Sequence, residues 1–124
     1  MKKTKSIIGL IMGVMLTFGM AVTAFAGTKD VTGTYLKLHI SATSNSGTTT
    51  CSDRGSGRWV NAWHNCYNAA GTKIGFSQNT SVTAVTAVSF GLSGNAWVTG
   101  SGQIRKEAHP NSQLLETRTA TANV

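Results

Sequence analysis

Residues 34 to 42 alternate without a break. Leu36, Leu38, Ile40 and Ala42 fall on one side of an extended chain, and Tyr35, Lys37, His39 and Ser41 fall on the other. A side-chain period of two belongs to a strand with one face buried and one face wet. A strand of that kind needs a second layer to cover its apolar side, so the pattern demands a packed β architecture.

The composition carries the same message further along. After Ala26, Thr, Ser, Gly, Asn and Val dominate, and Glu, Lys and Leu become scarce. That mixture suits strands and turns better than helices. Thr43 to Gly57, rich in Ser, Thr and Gly, reads as a long loop. Arg58 to Asn68 fits two templates. Trp59, Ala62, Trp63, Cys66, Tyr67 and Ala70 match a helix face. As a strand, Trp59, Trp63 and Tyr67 share a face with Asn61 and Asn65, and Val60, Ala62, His64 and Cys66 share the other. Asn68-Ala69-Ala70-Gly71 decides for the strand. It reads as a hairpin loop with Gly71 in the left-handed conformation, followed by a returning strand from Lys73 to Ser77.

Ser81 to Phe90 is filled with β-branched residues and reads as a further strand. Gly91 to Asn95 is a turn. Ala96 to Glu107 is a strand whose Gly100 and Gly102 imply a bulge or a close backbone approach. His109-Pro110-Asn111 is a turn, and Ser112 to Ala122 is a closing strand suited to an edge. The sum is an all-β fold, a small antiparallel β-sandwich or barrel of about six strands.

Met1 to Ala26 has a different character. Lys2, Lys3 and Lys5 precede an apolar run from Ile7 to Met20, and Ala24-Phe25-Ala26 supplies small residues for cleavage. This predicts a helical secretory signal peptide over 1–26 that is removed, and a single β-sandwich domain over 27–124. The expected location is extracellular, with membrane contact only through an uncleaved leader. Three lysines fall in the leader, so the formal charge of +7 drops to +4 for the mature chain. The remaining cations are scattered, without the basic run of a nucleic-acid arm, so nucleic acid is not an expected partner.

Cys51 and Cys66 are the only cysteines. In an oxidising compartment they predict one disulfide, worth about 3 kcal/mol for a loop of this length. A disulfide would consume both thiols, and His64 with Cys66 and Cys51 matches no usual zinc spacing, so neither metal nor cofactor is expected.

Catalysis has little raw material. Asp30, Asp53, Glu107 and Glu116 are the acidic residues, and none forms a pair in sequence. Glu107 and Glu116 flank the last turn, where Arg105, Lys106 and Arg118 suggest surface ion pairing. His39 and His109 look exposed. His64 reads as a hydrogen-bonded, partly buried residue. The chain therefore reads as a non-enzyme. Alternating Thr117, Thr119 and Thr121 hint at a hydroxyl array, though strand propensity accounts for them.

The aromatic strand is the best functional candidate. Trp59, Asn61, Trp63, Asn65 and Tyr67, with Arg58 beside them, offer rings for sugar faces and amides for hydroxyls. Their commoner role in so small a domain is core packing, but Asn61 and Asn65 would then be buried amides in need of partners. The function expected is non-enzymatic binding of a cell-surface or glycan ligand outside the cell. The alternative is an exported antibacterial, bacteriocin-like protein acting on bacterial envelopes, suggested by small size and positive charge.

Overall fold

The computed structural model describes residues 27–124, so the leader expected over 1–26 lies outside the described residues. Eight strands follow one another: β1 (Gly27–Thr32), β2 (Leu36–Thr43), β3 (Ser46–Asp53), β4 (Trp59–Asn68), β5 (Lys73–Val82), β6 (Ala84–Phe90), β7 (Asn95–Arg105) and β8 (Leu114–Asn123). They form two four-stranded antiparallel sheets, in the orders β1-β2-β3-β6 and β5-β4-β7-β8. The all-β, two-layer expectation holds, with eight strands instead of six.

The two strands beyond the six expected are β1, over Gly27–Thr32, and β3. Thr43 to Gly57 is no long loop, because Ser46–Asp53 is a strand between β2 and β6. Its inward residues are Gly47, Thr49, Cys51 and Asp53, all buried, and its outward residues are Ser46, Thr48, Thr50 and Ser52. The alternation is present, but small and hydroxyl side chains hide it from a hydropathy pattern. Ser81 to Phe90 is also no single strand. Thr83 adopts a φ of 77°, and there the chain leaves one sheet for the other. Its N–H donates to the Arg58 carbonyl and its carbonyl accepts from Asp53 N–H, so the crossing residue stays bonded to both sides. Such a φ is costly for a β-branched residue and marks the switch point.

The core lies between the sheets. Leu36, Leu38, Ile40 and Ala42 from β2 meet Val60, Ala62 and Cys66 from β4 and Val98 and Ile104 from β7. Burying a side chain such as Leu38 or Ile40 contributes about 1.5–3 kcal/mol each. Gly100 and Gly102 make the expected close approach. A Cβ at Gly100 would lie 2.4 Å from Thr49 Oγ1, and one at Gly102 would lie 2.5 Å from Cys51 Sγ. The Asn68–Gly71 turn closes as expected, with Gly71 at φ 83° and Asn68 Oδ1 accepting from Ala70 N–H and Thr72 N–H.

The disulfide expectation fails. Cys51 and Cys66 are both buried free thiols. Each packs on a glycine of the opposite sheet: Cys51 on Gly102, and Cys66 on Gly47. Gly47 and Cys51 are four residues apart on β3, about 13 Å of extended chain, so the thiols occupy separate stations along the core. Burial pushes the Cys51 thiol up to about 12, helped by Glu116 and Asp53, and it also raises the Cys66 thiol.

Ion pairs and hydrogen bonds close one end. Asp53, whose side chain is buried, binds Arg58 Nη1 at 3.1 Å and accepts from Gly55 N–H and Arg58 N–H. The Arg58 guanidinium also lies 5.2 Å from the Tyr35 ring centre. Glu116 does more than the surface pairing expected of it. It binds Arg118 Nε at 2.8 Å and accepts from the backbone N–H groups of Thr34, Tyr35 and Leu36 at 3.1, 2.7 and 3.2 Å. Those contacts tie β8 to the β1–β2 turn and so link the two sheets. Burial pushes the Glu116 carboxyl up, but the N–H donors of Tyr35, Thr34 and Leu36 and the Arg118 guanidinium outweigh it and hold the group below its ordinary value.

Candidate functional site

β4 is a strand, and its two faces divide as the alternation predicts. Val60, Ala62, His64 and Cys66 are buried, while Trp59, Asn61, Trp63, Asn65 and Tyr67 are half-buried on the outer face. The rings therefore lie outside the core, contrary to the core-packing reading. The reason is volume. β2 already supplies Leu36, Leu38 and Ile40 to the core, and β4 answers with smaller residues across the gap.

Cross-strand register builds the outer face row by row. Trp63 lies between Gln78 of β5 and Ser101 of β7, with Thr119 of β8 beyond. Asn61 lies between Thr80 and Gln103, with Thr117 beyond. Asn65 lies between Phe76 and Thr99, with Thr121 beyond. At one end Tyr67 pairs with Trp97, the two rings stacked at 5.5 Å and 19°. At the other end Trp59 lies opposite Arg105.

Amides cross the strands in a relay. Gln78 Nε2 donates to Asn61 Oδ1 at 3.1 Å, and Asn61 Nδ2 donates to Gln103 Oε1 at 3.4 Å. Hydroxyls continue the face on the far side, with Ser101 Oγ 2.8 Å from Thr119 Oγ1 and Thr99 Oγ1 3.0 Å from Thr121 Oγ1. A shallow depression of about 400 Å³ opens here, lined by Asn61, Trp63, Phe76, Gln78 and Gln103. Asn65 Oδ1 is buried with no hydrogen-bond partner among the described residues. A buried acceptor of this kind normally has a partner, and with no exposed surface of its own this one is closed to a ligand.

The structure thus brings Trp59, Asn61, Trp63, Asn65 and Tyr67 onto one surface. It does not bring Arg58 to them, because Asp53 and the Tyr35 ring hold that guanidinium at the end of the sandwich. Sequence reasoning missed Phe76, Gln78, Trp97, Thr99 and Gln103. A signal was present in β7, where Trp97, Thr99, Ser101 and Gln103 alternate with Val98, Gly100, Gly102 and Ile104. Thr117, Thr119 and Thr121 do form an outward column, and it borders the amides and aromatics.

The other titratable groups take structural places. His64 is wholly buried, with Nδ1 3.1 Å from Thr49 Oγ1 and Nε2 2.9 Å from Ser89 Oγ. A neutral imidazole offers one donor and one acceptor, which the two hydroxyls satisfy. Burial pushes its pKa down, so it stays neutral, and no substrate reaches it. His39 is exposed and 2.6 Å from Asp30. Among the described residues no three His, Cys, Asp or Glu lie together as metal ligands, and no helix is long and apolar enough to cross a membrane.

Comparison with protein-family models, with curated proteins and with solved structures finds no match for this chain. Any function must therefore be argued from the surface itself.

Proposed function

We propose that this protein is an exported, non-enzymatic binding module whose ligand is a glycan. The observation that carries the reading is the outer face of β5-β4-β7-β8. There Trp63 stands among Asn61, Gln78 and Gln103 around an open depression, and Trp59, Phe76 and the Tyr67–Trp97 stack surround them. Sugars present apolar C–H faces and rims of hydroxyls, and half-exposed rings interleaved with amides match both. Rings fixed on a sheet lose little freedom on binding, and the relay among Gln78, Asn61 and Gln103 fixes the amides as well. The leader expected over 1–26 supports export.

The test is retention by polysaccharides, measured with wild type and Trp63→Ala. Truncating a central aromatic anchor removes about 2 kcal/mol or more of binding, a loss of about 30-fold. Trp63 lies outside the core, so the variant is expected to melt close to wild type. Equal retention of both proteins would remove the face from consideration.

A further inference from the structure

We infer that the ligand of this face is an uncharged glycan, recognised without ion pairing. The inference rests on the glycan reading and narrows its substrate class. Its ground is the distribution of charge. The three central rows of the face run Thr80–Asn61–Gln103–Thr117, Gln78–Trp63–Ser101–Thr119 and Phe76–Asn65–Thr99–Thr121. None of these twelve positions holds a charged residue, in a mature chain whose net charge is +4.

The two flanking arginines are engaged away from the face, and one lysine stands at its edge. Arg105 Nη1 donates to the Ser112 carbonyl at 2.8 Å, Arg58 is paired with Asp53, and Lys73 Nζ lies 5.7 Å from the Phe76 ring centre. A surface built to hold phosphate or carboxylate presents arginine or lysine donors to it. This one presents none at its centre.

The amide relay adds a positive argument. Three amides in series use two donor–acceptor contacts between them. Whichever way the series runs, one end keeps a free acceptor and the other a free donor. As oriented here, these are Gln78 Oε1 and Gln103 Nε2, either side of Asn61. A carboxylate or a phosphodiester only accepts at neutral pH and would meet the lone pairs of Gln78 Oε1. A hydroxyl both donates and accepts, and so satisfies both free ends of the relay. The face is thus selective for hydroxyls, through unfavourable contact with anions as well as good contact with sugars.

The experiment is affinity gel electrophoresis of the purified protein against two sets of polymers. The neutral set holds cellulose derivatives, xylan, mannan and β-glucan. The anionic set holds teichoic acid, alginate and polygalacturonate. Each is run at about 50 and about 500 mM salt, which cuts the screening length severalfold. The expected result is retention by at least one neutral polymer, changing less than about twofold with salt. Trp63→Ala should reduce that retention at least about tenfold, Gln103→Ala should reduce it severalfold, and Lys73→Gln should leave it unchanged. Retention confined to the anionic polymers, weakened by salt yet still lost in Trp63→Ala, would overturn the uncharged ligand while leaving the glycan reading in place. No retention by any polymer would overturn both.

Discussion

The outer faces of the two sheets obey the same alternation and offer very different chemistry. On β1-β2-β3-β6 the outward rows are Thr32–Lys37–Ser52–Ala84, Asp30–His39–Thr50–Thr86, Thr28–Ser41–Thr48–Val88 and, at the rim, Thr43–Ser46–Phe90, whose Phe90 is the one exposed ring. Short hydroxyls dominate, Thr50 and Thr86 bond each other at 2.9 Å, and His39 pairs with Asp30. On β5-β4-β7-β8 the same geometric positions hold Trp59, Trp63, Tyr67, Trp97 and Phe76 among amides. Both faces are wet, so burial does not call for the rings. A sheet needs polar or β-branched outward residues to stay soluble and paired, and the first face meets that need without a single tryptophan. The second face therefore carries more apolar surface than folding asks for, and that surplus points to binding.

The comparison treats the faces as parts of one rigid body, and the largest expected effect tests that assumption. Glu116 links β8 of the aromatic sheet to the β1–β2 turn of the plain one. Glu116→Ala leaves three backbone donors without their carboxylate, at a cost of about 3 kcal/mol. Chemical denaturation should show that loss as a shifted midpoint. Retention on glycan below the transition should persist, because the Glu116 carboxylate bonds the β1–β2 turn and Arg118 and none of the central-row side chains. A variant that loses binding while still folded would tie the aromatic face to the other sheet and break the comparison.

A smaller effect comes from acid. Burial lowers the His64 pKa from 6.5, so the unfolded chain binds a proton that the folded core resists. Its contribution is complete above the ordinary histidine range and declines as pH falls below about 6.5 toward the lowered folded value. Glu116, also held below its ordinary 4.5, loses its contribution at still lower pH, as the pH falls through its folded value. Melting temperature should thus fall in two stages on acidification. In His64→Gln the first stage should flatten and the second remain. A melting profile level from pH 7 to about pH 5 in wild type would contradict the buried neutral imidazole.

How much of this was legible in the sequence depends on side-chain size. β2 announces itself, because Leu36, Leu38 and Ile40 are large enough for alternation to show. β3 has the same periodicity, yet Gly47 and Thr49 face the core and Thr48 and Thr50 face water, so hydropathy does not separate them. The two strands are complementary. Small inward residues on β3 leave room for neighbours such as Val98, and a Cβ at Gly47 would come within 2.7 Å of it. The aromatic face was half legible for a related reason. Trp59, Trp63 and Tyr67 share one strand and show up as a pattern. Phe76, Gln78, Trp97 and Gln103 join them only through cross-strand register, which no local pattern encodes. Glu116 was half read: its pair with Arg118 is local, but its backbone partners lie about eighty residues away in sequence.

The smallest expected effect lies between the faces. A structural disulfide would hold β3 to β4, and reduction would then cost a domain of this size about 2–5 kcal/mol. Instead Cys51 sits against Gly102 and Cys66 against Gly47, each filling the space a missing Cβ leaves in the opposite sheet. Their role is that of small apolar side chains, and a thiol with its pKa raised to about 12 has almost no reactive thiolate at neutral pH. Reducing agent is therefore expected to leave the melting temperature unchanged. A thiol-specific reagent should label neither cysteine in the folded protein and both in denaturant. A drop in melting temperature on reduction would restore the cross-link. It would also require the two sheets to slide past each other by about the four residues that now separate Gly47 from Cys51, about 13 Å along the strands.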